Sequence, residues 1–187
     1  MRLLTSATGD DTHELGDEEL RALYAFPDVP WLRVNFVTTL DGSGVGPDGL
    51  TGSINTPPDN RVFALNRDLA DCVLVGSGTA RSEGYEPGDV PIVVVSGRGV
   101  LPPTLDQGGG RVVLATCAAS GREPSADVWV CGTDTVDLTA VKDRLAAEGM
   151  YRILCEGGPT LHSDLLAAHL VDDLALTIVP RLAGGSG

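Results

Sequence analysis

Three features of the sequence predict an α/β layered domain with a largely parallel sheet. Short, uninterrupted apolar runs recur along the chain, among them Cys72-Val73-Leu74-Val75 and Ile92 to Val95. Runs of that length suit strands buried on both faces of a parallel sheet. Segments with helical spacing stand between several of these runs, as a strand–helix alternation requires. Glycine and proline account for 24 and 12 of the 187 residues, which implies many tight turns and argues against a helical bundle.

The elements follow in order. Residues 1–16 are polar and acidic and read as a loose arm. Asp17-Glu18-Glu19-Leu20 opens a short helix, with acidic groups in the first turn, Leu20, Leu23 and Tyr24 on one side, and Pro27 ending it. Trp31 to Thr39 is rich in β-formers and partly alternates, so it is the first strand. Leu40-Asp41-Gly42 breaks it, and a loop crowded with Gly42, Gly44, Gly46, Gly49 and Gly52 follows, a candidate mobile flap. Thr56-Pro57-Pro58-Asp59 is a helix entrance: Thr56 can cap, Pro57 fits the first turn, and Asp59 is a weaker form of the capping box. Val62, Leu65 and Leu69 then share a helical face. Strands are predicted at Cys72 to Val75, Ile92 to Val95, Val112 to Ala115, Val128 to Cys131 and Ile153 to Cys155, with a last one at Leu174 to Val179. Helices are predicted from about Leu138 to Glu148, with Gly149 after it, and from Pro159 onward; His162 and His169 are placed on that last helix.

Composition narrows the function. The formal charge of −13 disfavours binding to nucleic acid or an anionic membrane, since an acidic surface repels phosphates. A nucleotide cofactor needs only a local pocket of backbone N–H groups and an arginine or two. No run is long enough to span a membrane, and none near Met1 suits the centre of a signal peptide, so a cytoplasmic protein is expected. Cys72, Cys117, Cys131 and Cys155 match no zinc or C-x-x-C spacing; they read as buried, reduced thiols, and no metal site is expected.

In a parallel α/β sheet, ligands sit beyond the carboxyl ends of the strands. The loops at 39–53, 76–85, 96–98, 116–120 and 156–160 are therefore the ones to inspect. Gly76-Ser77-Gly78-Thr79-Ala80-Arg81 begins like a dinucleotide-binding turn, but Arg81 stands in place of the third glycine and no helical pattern follows. It reads either as a turn that lets backbone approach a phosphate or ribose, with Thr79 or Arg81 in contact, or as an ordinary glycine turn. Glu156-Gly157-Gly158-Pro159-Thr160 joins a strand to a helix whose first N–H groups favour an anion such as a diphosphate. Its glycines serve equally for a tight turn. Glu156, at the strand tip, can accept from a substrate amide or cap the helix.

Thr39-Leu40-Asp41-Gly42, the run Val73 to Arg81, the run Leu154 to Leu161 and the tail Leu170 to Gly185 together resemble the C-terminal reductase domain of the bifunctional riboflavin-biosynthesis deaminase–reductase, over about residues 30–187. The resemblance implies a dihydrofolate-reductase-like fold, a three-layer arrangement with a mostly parallel central sheet flanked by helices. It also implies a homodimer and the use of NADPH to reduce the ribosyl group of a phosphoribosylaminopyrimidine. The domain is expected to cover 29–187, stopping before the family's further C-terminal β-structure, behind an acidic arm with a short helix at 1–28.

Carried onto this chain, the family pattern assigns Val37, Ser53, Gly76, Gly78, Thr79, Arg81, Glu83, Ser96, Thr116, Gly157, Gly158, Pro159, Thr160 and Leu161 to the cofactor. It assigns Asn35, Thr51, Arg67 and Glu156 to the substrate, with Arg67 a candidate for the substrate phosphate. Asp41 and Glu156 are the candidate catalytic groups, with Asp41 orienting either the glycine loop or the substrate. Three departures stand out. Ser53 occupies the place of a cofactor-side Trp, and Asn35 that of a Lys found in many bacterial members. Ser82-Glu83-Gly84-Tyr85-Glu86-Pro87 replaces a segment that carries a phosphate-binding Arg. These keep a pterin- or dihydrofolate-type reductase, or a non-catalytic NADPH-binding relative, as alternatives. The zinc signature of nucleobase deaminases, H-x-E with P-C-x-x-C, is absent, so deamination is expected of another protein. No Ser/His/Asp or Cys/His set suggests covalent catalysis.

Overall fold

A computed structural model describes residues 14–184. The arm before Glu14, His13 in it, and the end of the tail from Gly185 lie outside the described residues. Seven strands form one sheet: β1 (Trp31–Thr39), β2 (Cys72–Gly76), β3 (Ile92–Val95), β4 (Val112–Thr116), β5 (Val128–Val130), β6 (Arg152–Cys155) and β7 (Asp173–Val179). Five helices accompany it: α1 (Asp17–Leu23), α2 (Pro57–Leu69), α3 (Ser77–Ser82), α4 (Leu138–Ala147) and α5 (Pro159–Ala167). The spatial order is β5-β4-β3-β2-β6-β1-β7, and every pairing is parallel.

The two-sided burial expected of the apolar runs is present. Cys72 and Leu74 of β2 join one core cluster with Leu32, Val34, Ile153 and Cys155, closed by Val141 and Leu145 of α4 and Leu161 and Leu165 of α5. Val73 and Val75 point to the other face and pack with Ala80 of α3, Val94 and Leu105. Three layers result. All four cysteines are buried free thiols, and burial pushes Cys72 and Cys155 up to about 12. No helix of the described residues is long and apolar enough to cross a membrane.

Helix α1 is fastened through a buried arginine on β1. Arg33 Nε donates to Asp173 Oδ2 (2.6 Å), Nη1 donates to Tyr24 O and Asn66 Oδ1, and the guanidinium lies 4.3 Å from the Phe26 ring centroid. Burial of this charge is offset by donors and acceptors that match.

The structure departs from three sequence expectations. A helical turn, α3, does follow the Gly76 turn; six residues suffice because Ala80 is fully buried against β2 and β3. Helix α2 buries Asp59, Val62 and Asn66, a stripe rotated away from the Val62–Leu65–Leu69 face, because Asn66 is held by Arg33. His169 lies beyond the end of α5, at φ +55, where the chain turns toward β7.

The chain runs outward from β2 to β5, then returns to insert β6 between β2 and β1. Register sets Val34, Cys155 and Leu74 side by side. Just beyond, β6 and β2 end at Cys155 and Gly76 while β1 runs on beside β7, and this reversal is the place where such sheets bind ligands.

Candidate active site

A cleft of about 650 Å³ occupies that position. Asn35, Phe36 and Val37 of β1 line it, with Thr51 from the glycine loop, Asp59, Phe63 and Arg67 from α2, Thr79 and Ser82 from α3, Glu83 and Tyr85 just after it, and Glu156, Gly158 and Pro159 after β6.

Glu156 follows the last residue of β6, and its N–H donates to Leu74 O of β2 (3.0 Å), which fixes the backbone at the sheet. Its carboxylate is almost fully buried and takes a bidentate pair from Arg67, Nε to Oε1 and Nη2 to Oε2, both 2.7 Å. The Tyr85 hydroxyl donates to Oε2 as well. Phe63, one helical turn before Arg67, places its ring centroid 4.7 Å from the guanidinium, and the Tyr85 ring lies at 5.3 Å. The hydrogen bond to Glu156 pushes Arg67 above its ordinary value; burial, then the Glu156 charge, pushes the Tyr85 hydroxyl up. Both groups therefore keep their protons at neutral pH. The Arg67 guanidinium lines the cleft.

Beside this network, two turns touch. Gly76 N donates to Gly157 O (2.7 Å). Gly157 sits at φ +83, where a Cβ would lie 3.0 Å from Phe36 Cε2, and a Cβ on Gly158 would run into Thr79 Oγ1. The Gly157–Gly158 peptide is cis. Helix α5 then starts with Pro159, leaving the Thr160 and Leu161 N–H groups without upstream partners. Bare backbone beside a helix N-terminus is a cradle for an anion. Glu83 accepts from both the N–H and the hydroxyl of Thr51 (2.9 and 2.8 Å), tying the glycine loop to the segment after α3.

Of the residues picked from the sequence, Asn35, Val37, Thr51, Arg67, Thr79, Glu83, Glu156, Gly158 and Pro159 meet in the cleft. Gly76 and Gly157 stand behind it, and Leu161 joins the core. Gly78, Arg81 and Thr160 are exposed beyond the strand ends. Ser96 follows β3 and Thr116 ends β4, and their hydroxyls tie loops together: Thr116 Oγ1 donates to Ser96 O, and Ser96 Oγ accepts from Val100 N. Ser53 Oγ donates to Asp48 Oδ1. Asp41 lies outside the cleft. It accepts from Thr39 Oγ1 and from the N–H groups of Ala183 and Gly184, and these bonds, the Thr39 hydroxyl foremost, lower its carboxyl to about 2.

Phe36, Asp59, Phe63 and Tyr85 enter the cleft without having been picked as site residues. A signal existed for Asp59, since the spacing 59, 62, 66 puts a carboxylate on the buried stripe of α2. Phe36 also stacks on His162 at 5.0 Å, whose Nε2 is buried without a partner and whose titration burial shifts down.

Known proteins share the fold. The family model described as RibD C-terminal domain matches residues 30–187. The 2,5-diamino-6-ribosylamino-4(3H)-pyrimidinone 5′-phosphate reductase of Methanothermobacter thermautotrophicus is 30% identical over 174 residues, covering 83% of this chain and 80% of that one. A pyrimidine reductase-like protein from Corynebacterium diphtheriae superposes with a TM-score of 0.68 at 24% identity, covering 82% of this chain and 75% of that one. The diaminohydroxyphosphoribosylaminopyrimidine deaminase/5-amino-6-(5-phosphoribosylamino)uracil reductase of Thermotoga maritima gives 0.68 at 20% identity; 84% of this chain matches 47% of that one, so the chain spans about half its length. The protein belongs to the RibD C-terminal domain family and is an oxidoreductase of the riboflavin-biosynthetic type.

Proposed function

We propose that this chain reduces the ribosyl group of a phosphorylated ribosylaminopyrimidine to a ribityl group, with NADPH as the hydride donor. The observation that carries this reading is the cleft at the sheet reversal, where the Glu156–Arg67–Tyr85 network adjoins the glycine cradle at the start of α5.

The residues fit a dinucleotide. The cradle would be filled by a Cβ at Gly158, and the first turn of α5 offers free N–H groups to a diphosphate. Arg81 and Arg98 are exposed beyond β2 and β3, with no carboxylate partner among the described residues, and they favour the extra phosphate of NADPH over NADH. When bound, the nicotinamide supplies a hydride to the C1′ carbon of the opened ribosylimine, and the former C=N nitrogen takes a proton. The protein has to align the two, exclude water and hold a proton source. In this reading Glu156 fixes a pyrimidine N–H, and Arg67, which is part-exposed in the cleft, meets the substrate phosphate. Asp41 is placed to hold the loop ends, and its role is positioning.

A second reading, a pterin- or dihydrofolate-type reductase, is favoured by the charge of the cleft. Its lining side chains carry four carboxylates, Asp59, Glu83, Glu86 and Glu156, against one guanidinium, Arg67. NADPH oxidation measured in parallel with the phosphoribosylaminopyrimidine and with dihydrofolate separates the two. Turnover of the pyrimidine is the expected result, with Glu156→Gln lowering it more than it lowers NADPH affinity. Turnover of dihydrofolate alone, or of neither, overturns the first reading.

We also place the protein in the cytoplasm as a homodimer. The four buried free thiols support a reducing compartment, and the exposed Leu174, Leu176 and Ile178 on edge strand β7 support a covered edge. Sedimentation at the monomer mass would count against the dimer.

A further inference from the structure

The segment 82–87, which departs from the family pattern, has no role in the proposed reaction. Its Tyr85 enters the cleft beside Glu156 and Arg67. The backbone N–H of Tyr85 donates to Ala80 O (2.9 Å), and the side chain packs against the core cluster that holds Val73, Val75 and Ala80. Arg67, by contrast, reaches Glu156 on a long side chain from α2 that is 36% exposed. The bidentate pair fixes the Glu156 carboxylate relative to the guanidinium. Two flexible side chains joined in this way can still swing together as one unit. The Tyr85 hydroxyl is a third contact, from a separate element rooted in the core, and it stops that motion.

The same contact makes the two carboxylate oxygens unequal. Each has two lone pairs to offer. Oε2 accepts from Arg67 Nη2 and from the Tyr85 hydroxyl, which fills it, whereas Oε1 accepts from Arg67 Nε alone among the described residues. Resting on the reading that Glu156 accepts from a ring N–H, we propose that Tyr85 is a positioning residue, which holds Glu156 in register with the cleft and leaves Oε1 as the oxygen open to the substrate. The hydroxyl is spent on Glu156, so Tyr85 acts through that carboxylate and not on the reacting atoms. The altered segment thus serves the ring end of the substrate rather than its phosphate.

Tyr85→Phe tests this, because it keeps the ring against the core and against Arg67 and removes the oxygen alone. Calorimetry on the NADPH-loaded protein reads the affinity for 2,5,6-triamino-4(3H)-pyrimidinone or 5,6-diaminouracil, whichever wild type binds more tightly. NADPH oxidation with the corresponding ribosylamino 5′-phosphate reads kcat/KM. Tyr85→Phe is expected to weaken ring binding and to lower kcat/KM, each about tenfold, with NADPH affinity within about twofold of wild type. The deciding measurement repeats Tyr85→Phe in two further backgrounds, Glu156→Gln and Glu156→Ala, with NADPH binding as the check that each is folded. A residue that acts through Glu156 has nothing left to position there, so its removal is expected to cost no more than about twofold. An equal loss with and without Glu156, or no loss in its presence, overturns the proposal. A loss of ring binding confined to the Glu156 background, with no reduction of the phosphate by wild type, supports the role of Tyr85 and overturns the proposed reaction instead. Failure of wild type to bind either ring overturns both.

Discussion

Two carboxylates line one cleft in opposite surroundings. Glu156, at the tip of β6, accepts three hydrogen bonds and has its charge matched by Arg67. Asp59, in the first turn of α2, is also a buried residue and accepts none among the described residues. The difference separates two uses of a buried acid. A saturated carboxylate ties neighbouring elements together as well as lining the cleft, and its partners suffer if it is removed. An unsatisfied one holds no partner in place, so its removal is expected to cost the fold little.

The largest expected effect comes from breaking the saturated side. Arg67→Leu leaves Glu156 buried against one hydroxyl donor and removes the cation between Phe63 and Tyr85. A loss of about 2–3 kcal/mol in unfolding free energy is expected, less than for a fully enclosed pair because Arg67 is part-exposed. Chemical denaturation checks it. A loss no greater than that of Asp59→Asn would erase the distinction between the two acids.

A change outside both acids sharpens the comparison. Gly158→Ala drives a methyl group into Thr79 Oγ1 at the glycine cradle. NADPH affinity is expected to fall about tenfold, roughly 1.4 kcal/mol, while the affinity for the pyrimidine ring stays within a factor of about two. Fluorescence titration of NADPH reads the first and calorimetry the second.

Tyr85→Phe trims the saturated network by one donor. A cost of about 1 kcal/mol is expected at neutral pH. Its pH dependence has a definite sign. Burial and the Glu156 charge raise the folded-state value of Tyr85 above 10.0. A group raised in this way contributes stability that is fully present below its unfolded value and is lost as pH climbs toward the folded one. The advantage of wild type over Tyr85→Phe should therefore be constant up to about pH 10 and shrink above it. An advantage that grows in alkali would contradict the assigned donor.

These contrasts also show what the sequence could and could not disclose. The inner strands came through as short apolar runs buried on both faces, and β1, rich in β-formers and partly alternating, was legible to the residue. Loops leaving the strands pointed to the cleft, and Arg67 and Glu156 meet there. Helix α3 was hidden because one buried alanine and contacts with β2 and β3 sustain it, not a periodic pattern. Asp59 was hidden for a related reason. Its position reads locally as a helix cap, and its burial goes with a helix face on which Asn66 is held by Arg33, far away in sequence. The pairing of Arg67 with Glu156 spans 89 residues and depends on the sheet order, which no local window contains.

The smallest effect is expected at Asp41, the acid that family resemblance made a catalytic candidate. Its carboxylate is exposed, bonded to Thr39 Oγ1 and to two backbone N–H groups at 183 and 184, and it does not line the cleft. Those bonds hold its carboxyl at about 2, below its usual 3.8. A value depressed in the folded state contributes stability that is present above the unfolded value and is lost as pH falls through the folded one, so the tie should loosen below about pH 4. Asp41→Asn should raise amide exchange at Ala183 and Gly184 to the level wild type reaches in acid, and leave kcat within about twofold. A fall in kcat as large as that of Glu156→Gln would mean that Asp41 reaches the reacting atoms through a loop rearrangement, and the contrast between an unsatisfied acid and a saturated acid would then need a third member.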